Sequence, residues 1–220
     1  MEGIEASAWL RRFCEDHAVI LGSSSKWRRK VLSSCKVRIV DAIDPAIDEK
    51  AIRDADAQKL VLAVANAKAD ACIQKLEALA LGGDAPVKNP EMYLICTDQV
   101  AVCDSQIREK PESETEARAF IHSYSVESKP AETFSGVVVV HVASGRREEG
   151  VFRNKIWFNR IPNEVVDEIV KSDVVYTTCG AFSADWPLMA RFVREIEGGL
   201  DGVMGMPLSL LEDLFKRHKR

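Results

Sequence analysis

Apolar residues recur at helical spacing in some stretches of this chain and run continuously in others, and the two patterns take turns. Trp9, Leu10 and Phe13 fall near one face of a helix over residues 4–17. "AVILGS" reads as a buried strand, and Lys26 to Cys35 as a helix. "KVRIVDA" reads as a second strand. The polar, turn-prone "DPAIDEKAIRDADAQ" feeds a long helix through "LVLAVANAKADACIQKLEALAL". "LGGDAPVKNPE" gathers Gly, Pro and Asn and reads as a loop, with no further role assigned to residues 80–91.

"MYLICTDQVAVC" is an almost unbroken strand signal. Ser113 is followed three residues later by Glu116, the spacing of a capping box, so "SETEARAFIHSYS" reads as a capped helix. "TFSGVVVVHVASGRREEGVFRNKIWFNRI" predicts strand, turn and strand. "PNEVVDEIVKS" predicts a short helix with Pro162 near its start, "MARFVREIEGG" a strand, and "PLSLLEDLFKRHKR" a closing helix with Pro in its first turn. No internal repeat or low-complexity linker interrupts the series. The order implies an α/β architecture with a mixed sheet.

Length and composition sharpen this. A chain of 220 residues that is 46% hydrophobic and 29% charged fits one globular unit, with room for two lobes. The net charge of −4 argues against stable nucleic-acid binding, which needs a basic face. It leaves a small anionic ligand open, since a local basic pocket can sit on an acidic protein. The start "MEGIEASAWLRRFCEDH" lacks the apolar core of a secretory signal, and the run "SGVVVVHVASG" is too short to span a bilayer. Six cysteines without a Cys-x-x-Cys pair point to reduced thiols and a cytoplasmic location.

Four groups of residues carry candidate chemistry. The turn Ser23-Ser24-Ser25 follows a strand, precedes a helix and is followed by Arg28 and Arg29. Free N–H groups, the helix dipole, hydroxyls and guanidinium forks together suit a phosphate. An ordinary Ser-capped helix with solvated arginines explains the same residues. Asp98 interrupts an otherwise apolar strand, where an ionised carboxylate needs a partner; a strand end reaching solvent is the alternative.

Lys68 lies on the stripe Val61, Ala65, Lys68, Cys72, Leu76, where core-facing positions seldom carry Lys. Either it snorkels at the core edge or its ammonium enters a cleft. Lys110, fixed before Pro111 on a loop, is similar. Finally, Asp44, Asp48 and Glu49 either complement the following helix or supply oxygens to a hard divalent ion.

Taken in order, these motifs resemble the Maf-type nucleoside triphosphate pyrophosphatases. The resemblance is carried by "SSSKWRR", Ile47-Asp48-Glu49, Lys68-Ala69, "TDQV", Lys110-Pro111, "CGAFSADW" and Val203-Met204-Gly205-Met206-Pro207, and it runs from about Ala18 to Phe215. Lys26 stands where the family usually has Pro, and "SADWP" is poorer in glycine than the family's segment. Residues 1–17 fall outside the match and are expected to pack on the outside as a helical extension of a single domain over 18–220.

The resemblance implies a twisted mixed sheet with flanking helices and two lobes around a deep nucleotide-binding cleft. It implies hydrolysis of a nucleoside triphosphate to the monophosphate and pyrophosphate with Mg²⁺, Mn²⁺ or Co²⁺. Asp98 would be the general base and, with Glu49, a metal ligand. Ser23, Ser25, Arg28, Lys68 and Lys110 would hold the phosphates. The partner is a small-molecule nucleotide, and a homodimer is compatible with the resemblance.

"W-R-R" with "D-Q-V" is similar to the 7-methyl-GTP pyrophosphatase subgroup, which assigns Trp27, Gln99 and Asp185 to the base. N7-methylation makes guanine cationic, and a cation over an indole face gains roughly 0.5–2 kcal/mol. Core packing is the competing account of Trp27. The rival functions are a dTTP/UTP pyrophosphatase of the same family, or a non-catalytic nucleotide-binding regulator of cell division acting in septum formation.

Overall fold

The computed structural model describes residues 4–81 and 91–219. A mixed seven-stranded sheet organises the chain. β1 (Ala18–Gly22) lies between β2 (Asp41–Ala42) and β3 (Met92–Cys103) and runs parallel to both. From β3 the sheet continues antiparallel through β5 (Ala131–His141), β6 (Arg147–Phe158) and β7 (Val193–Glu197), while β4 (Gln106–Arg108) folds back on β3.

The chain leaves β1 for β2 on one side and reaches β3 on the other. The carboxyl end of β1 is therefore a topological switch point, where open α/β sheets form their ligand crevices. β3 outruns its neighbour there: the last β1 pair is Gly22 with Cys96, and Thr97 and Asp98 lie beyond it.

The period-two pleat sorts β3 between two layers. Met92, Leu94 and Cys96 face one apolar cluster with Ala65, Ala69, Cys72 and Leu76 of α3 (Ala57–Leu81). Tyr93 and Ile95 face another cluster, formed by α1 (Ala8–Asp16), α2 (Lys26–Ser34) and α9 (Leu208–His218). A third cluster, around Ile121, Tyr124, Phe158, Ile169 and Phe182, forms a second lobe. It is built from α4 (Glu114–Ser125), α5 (Asn163–Val170), α6 (Asp173–Thr177) and α7 (Pro187–Ala190).

The predicted elements recur with some bounds shifted, and β4, α6 and α8 (Leu200–Val203) were not predicted. "KVRIVDA" pairs only through Asp41 and Ala42; Lys36 takes a left-handed turn at φ 56° after α2, and the chain joins the sheet late. α1 turns one face to the core, where Leu10, Phe13 and Cys14 are buried and the Phe13 ring lies 4.4 Å from that of Phe215, and leaves Arg12, Glu15 and Asp16 exposed. Met189 and Ala190, read as strand, belong to α7.

The predicted cap of α4 holds, with Ser113 accepting from the Glu116 N–H at 3.2 Å. Glu116 itself accepts from the N–H of Glu112, one residue before the cap. The predicted loop over 80–91 lies largely outside the described residues. All six cysteines are free thiols. Among the described residues no helix is long and apolar enough to cross a membrane.

Candidate active site

A cleft of about 660 Å³ opens at the end of β1, between the two lobes. Its floor is the extension of β3. The pleat that turns Leu94 and Cys96 toward α3 also turns Asp98 that way, and Lys68 on the α3 stripe meets it. The Lys68 ammonium donates to Asp98 Oδ1 at 2.8 Å and reaches Glu49 Oε1 at 2.9 Å. Lys68 and Asp98 are 4% and 7% exposed, so each buried charge has its partner. Glu49 approaches from a short 3-10 turn and stays exposed.

Of the three acids in that segment only Glu49 faces Lys68. Asp44 accepts from the Ala46 N–H, and Asp48 caps the turn by accepting from Lys50.

The serine turn forms the adjoining wall. Ser25 caps α2 by accepting from the Arg28 N–H. Ser23 accepts from the Ser25 N–H at 3.2 Å and from Arg28 Nη1 at 3.0 Å. The Arg28 guanidinium is held at its other side by the Gly205 carbonyl, 3.2 Å from Nε. That carbonyl also accepts from Thr97 at 3.1 Å, which ties the guanidinium to β3. Burial lowers the pKa of Arg28 from its ordinary value, and the charges of Asp98 and Glu49 oppose the shift. Arg29 points away and donates to the Ser24 carbonyl.

Lys110 lines the cleft from the loop after β4. That loop is pinned where the Glu109 carbonyl accepts from the Gly180 N–H at 2.9 Å. Gly180 has φ 69°, and a methyl there would come within 2.6 Å of Ala101 Cβ. Its neighbour Cys179 also lines the cleft; burial, with Asp98 adding, raises the thiol to about 11 and keeps it neutral near pH 7.

The far wall holds the residues assigned to a base. Trp27 packs against the core and also lines the cleft. Asp185 accepts from Ser183 at 2.7 Å and from Lys30 at 3.1 Å. Gln99 lies on the opposite face of β3 from Asp98, and its amide donates to Ser135 and to the Gly202 carbonyl, both at 2.8 Å.

The ten residues to which the resemblance gives a role therefore border one cleft, whereas Arg29 and Asp48, also singled out in the sequence, do not line it. Sequence reasoning missed Lys30, Thr97, Ser135, Cys179 and Ser183. Gly205 was seen only as a motif letter, although the glycine-proline pattern "MGMP" marks the turn at φ 81°.

Among the described residues no three His, Cys, Asp or Glu side chains gather as a metal site. Glu49 and Asp98 converge on the Lys68 ammonium, each through one carboxylate oxygen. Two carboxylates are what a hard cation such as Mg²⁺ commonly takes from protein when substrate phosphates complete its shell.

The chain resembles known proteins over most of its length. The family described as "Maf-like protein" matches residues 18–218. The chain is 36% identical over 199 residues to a 7-methyl-GTP pyrophosphatase of Dictyostelium discoideum, covering 90% of this chain and 96% of that protein. It is 29% identical to a nucleoside triphosphate pyrophosphatase of Salinispora tropica, over 89% of this chain and 81% of the other. It is 26% identical to a dTTP/UTP pyrophosphatase of Vibrio vulnificus, over 87% and 94%.

Proposed function

The chain belongs to the Maf-like protein family, and from that premise we propose that it hydrolyses nucleoside triphosphates to the monophosphate and pyrophosphate, with 7-methyl-GTP as its substrate. The supporting observation is the Lys68 ammonium gripped by Asp98 and Glu49 in the same cleft as Ser23 and Arg28.

In this reading Asp98 takes a proton from a water aligned on the α-phosphorus. A new P–O bond forms, the bridging bond to the β-phosphate breaks, and pyrophosphate leaves with the electron pair. Ser23, Ser25, Arg28 and Lys110 hold the phosphate oxygens and offset charge as it develops. An ammonium has three N–H donors. Two of those on Lys68 face carboxylates, and the third is left for a phosphate oxygen or the water.

Glu49 and Asp98 would hold a divalent cation, Mg²⁺, Mn²⁺ or Co²⁺. When bound, it acidifies the attacking water and neutralises phosphate charge.

Trp27 and Asp185 face the base, one with a π surface and one with a carboxylate, a pair that suits the cationic 7-methylguanine ring. Gln99 braces that wall through Ser135 and Gly202. A pyrophosphate-release assay with 7-methyl-GTP, GTP, dTTP, UTP and CTP tests the proposal. A higher kcat/KM for 7-methyl-GTP than for GTP, lost in Trp27→Ala, is the expected result. Preference for dTTP and UTP would assign the chain to the other branch of the family.

A further inference from the structure

We propose that Lys30 is an internal competitor for the base: its ammonium occupies the place of a cationic base in the free protein and is displaced when one binds. The proposal rests on the reading of Trp27 and Asp185 as the base-facing pair.

Lys30 follows Trp27 by three residues on α2, which sets the two side chains on one helix face. Its Nζ lies 5.1 Å from the Trp27 ring centroid and 3.1 Å from Asp185 Oδ2. Asp185 is contributed by a segment 155 residues away, and its side chain is 7% exposed. Its other oxygen accepts from Ser183 at 2.7 Å. Trp27, Lys30, Ser183 and Asp185 all line the cleft.

One cation thus satisfies both an aromatic face and a nearly buried carboxylate. Those are the two contacts a positively charged purine needs. A 7-methylguanine ring cannot take them while the ammonium is there, because the two charges repel. It can exchange with it, because it restores what it removes: a cation against the indole and donors for the carboxylate. A neutral base that expelled Lys30 would leave the nearly buried Asp185 carboxylate without a counter-charge. A neutral base therefore binds with Lys30 in place. Lys30 is half exposed, on a flexible four-carbon stem, so swinging into solvent costs little.

The test measures binding of 7-methyl-GMP and GMP by calorimetry to the wild type and to Lys30→Met and Lys30→Arg. Lys30→Met lowers the Kd of 7-methyl-GMP by about three- to tenfold, the range a partly exposed cation–π contact covers. GMP changes less, and the KM for 7-methyl-GTP falls in parallel. Lys30→Arg keeps the charge and the wild-type Kd, which separates displacement from altered packing.

If the wild type prefers 7-methyl-GMP and Trp27→Ala removes that preference, yet Lys30→Met leaves the Kd unchanged or raises it, the competitor role alone is overturned. If the wild type shows no such preference, the base-facing reading falls and takes this proposal with it.

Discussion

Gly136 rests against the backbone of Val61 so closely that a methyl group built on it would lie 2.6 Å from the Val61 carbonyl oxygen. Gly136 is also the cross-strand partner of Asp98. Lys68 stands seven residues after Val61, two turns along the same helix face. The missing side chain at 136 is what lets α3 sit deep enough for Lys68 to reach the carboxylate. Gly136→Ala should lift α3 from the sheet, cost about 1–3 kcal/mol by overpacking, and lower kcat with it. Chemical denaturation and pyrophosphate release on one preparation check both effects.

Asp98→Asn keeps the shape of the site and removes the proton acceptor. Loss of a positioned general base typically costs about 10²–10⁴-fold. The expected result is a kcat reduced by that order, with nucleotide binding retained in calorimetry. A variant that keeps wild-type turnover would remove Asp98 from the reaction.

Lys68 and Glu49 should separate activity from stability. Lys68→Met strands the buried Asp98 carboxylate, and breaking such a pair costs about 3–5 kcal/mol. Glu49 is largely exposed, and Lys68 keeps Asp98 when it is lost, so Glu49→Gln should cost less than about 1 kcal/mol. Both variants should lose turnover, while only Lys68→Met loses several degrees in thermal melting.

His218 gives the fold a pH dependence away from the cleft. Its pKa is lowered from 6.5, first by burial and then by the charges of Arg146 and His141, with Glu148 opposing. The folded protein therefore favours the neutral ring. The unfolded chain binds the proton more readily, so this contribution is present above pH about 6.5. It is lost as pH falls from there through the lower folded value. Denaturation at pH 7.5 and 5.5 should show a smaller acid-side loss in His218→Gln than in the wild type.

The sequence made some of this legible and hid the rest for physical reasons. β3 was readable to its end residues because an apolar run broken only at Thr97–Gln99 leaves a strand little alternative. The Lys68 stripe was readable because helical periodicity exposes a charge on an apolar face. The Ser23–Arg28 turn was readable because strand, serines and arginines are contiguous.

Contacts joining distant segments were not legible. Nothing in "WRRK" announces that Lys30 reaches a carboxylate 155 residues on, and nothing at Thr97 or Arg28 names the Gly205 carbonyl they share. "KVRIVDA" misled because Val37 is buried through core packing, without a strand partner. The apolar face of α1 was legible but not its partners, α9 and Tyr93, residues that no local pattern brings together.

That last meeting bears on how the molecule is made. Phe13 meets Tyr93 edge-on and Phe215 at a tilt, and Ser7 donates to Glu212. On a ribosome, the first of these rings must wait through some two hundred residues of synthesis for the last. Until α9 emerges, one side of the central strands is covered only in part by α1 and α2, and a nascent chain halted before Leu208 would present the rest of that greasy surface to chaperones and to its neighbours.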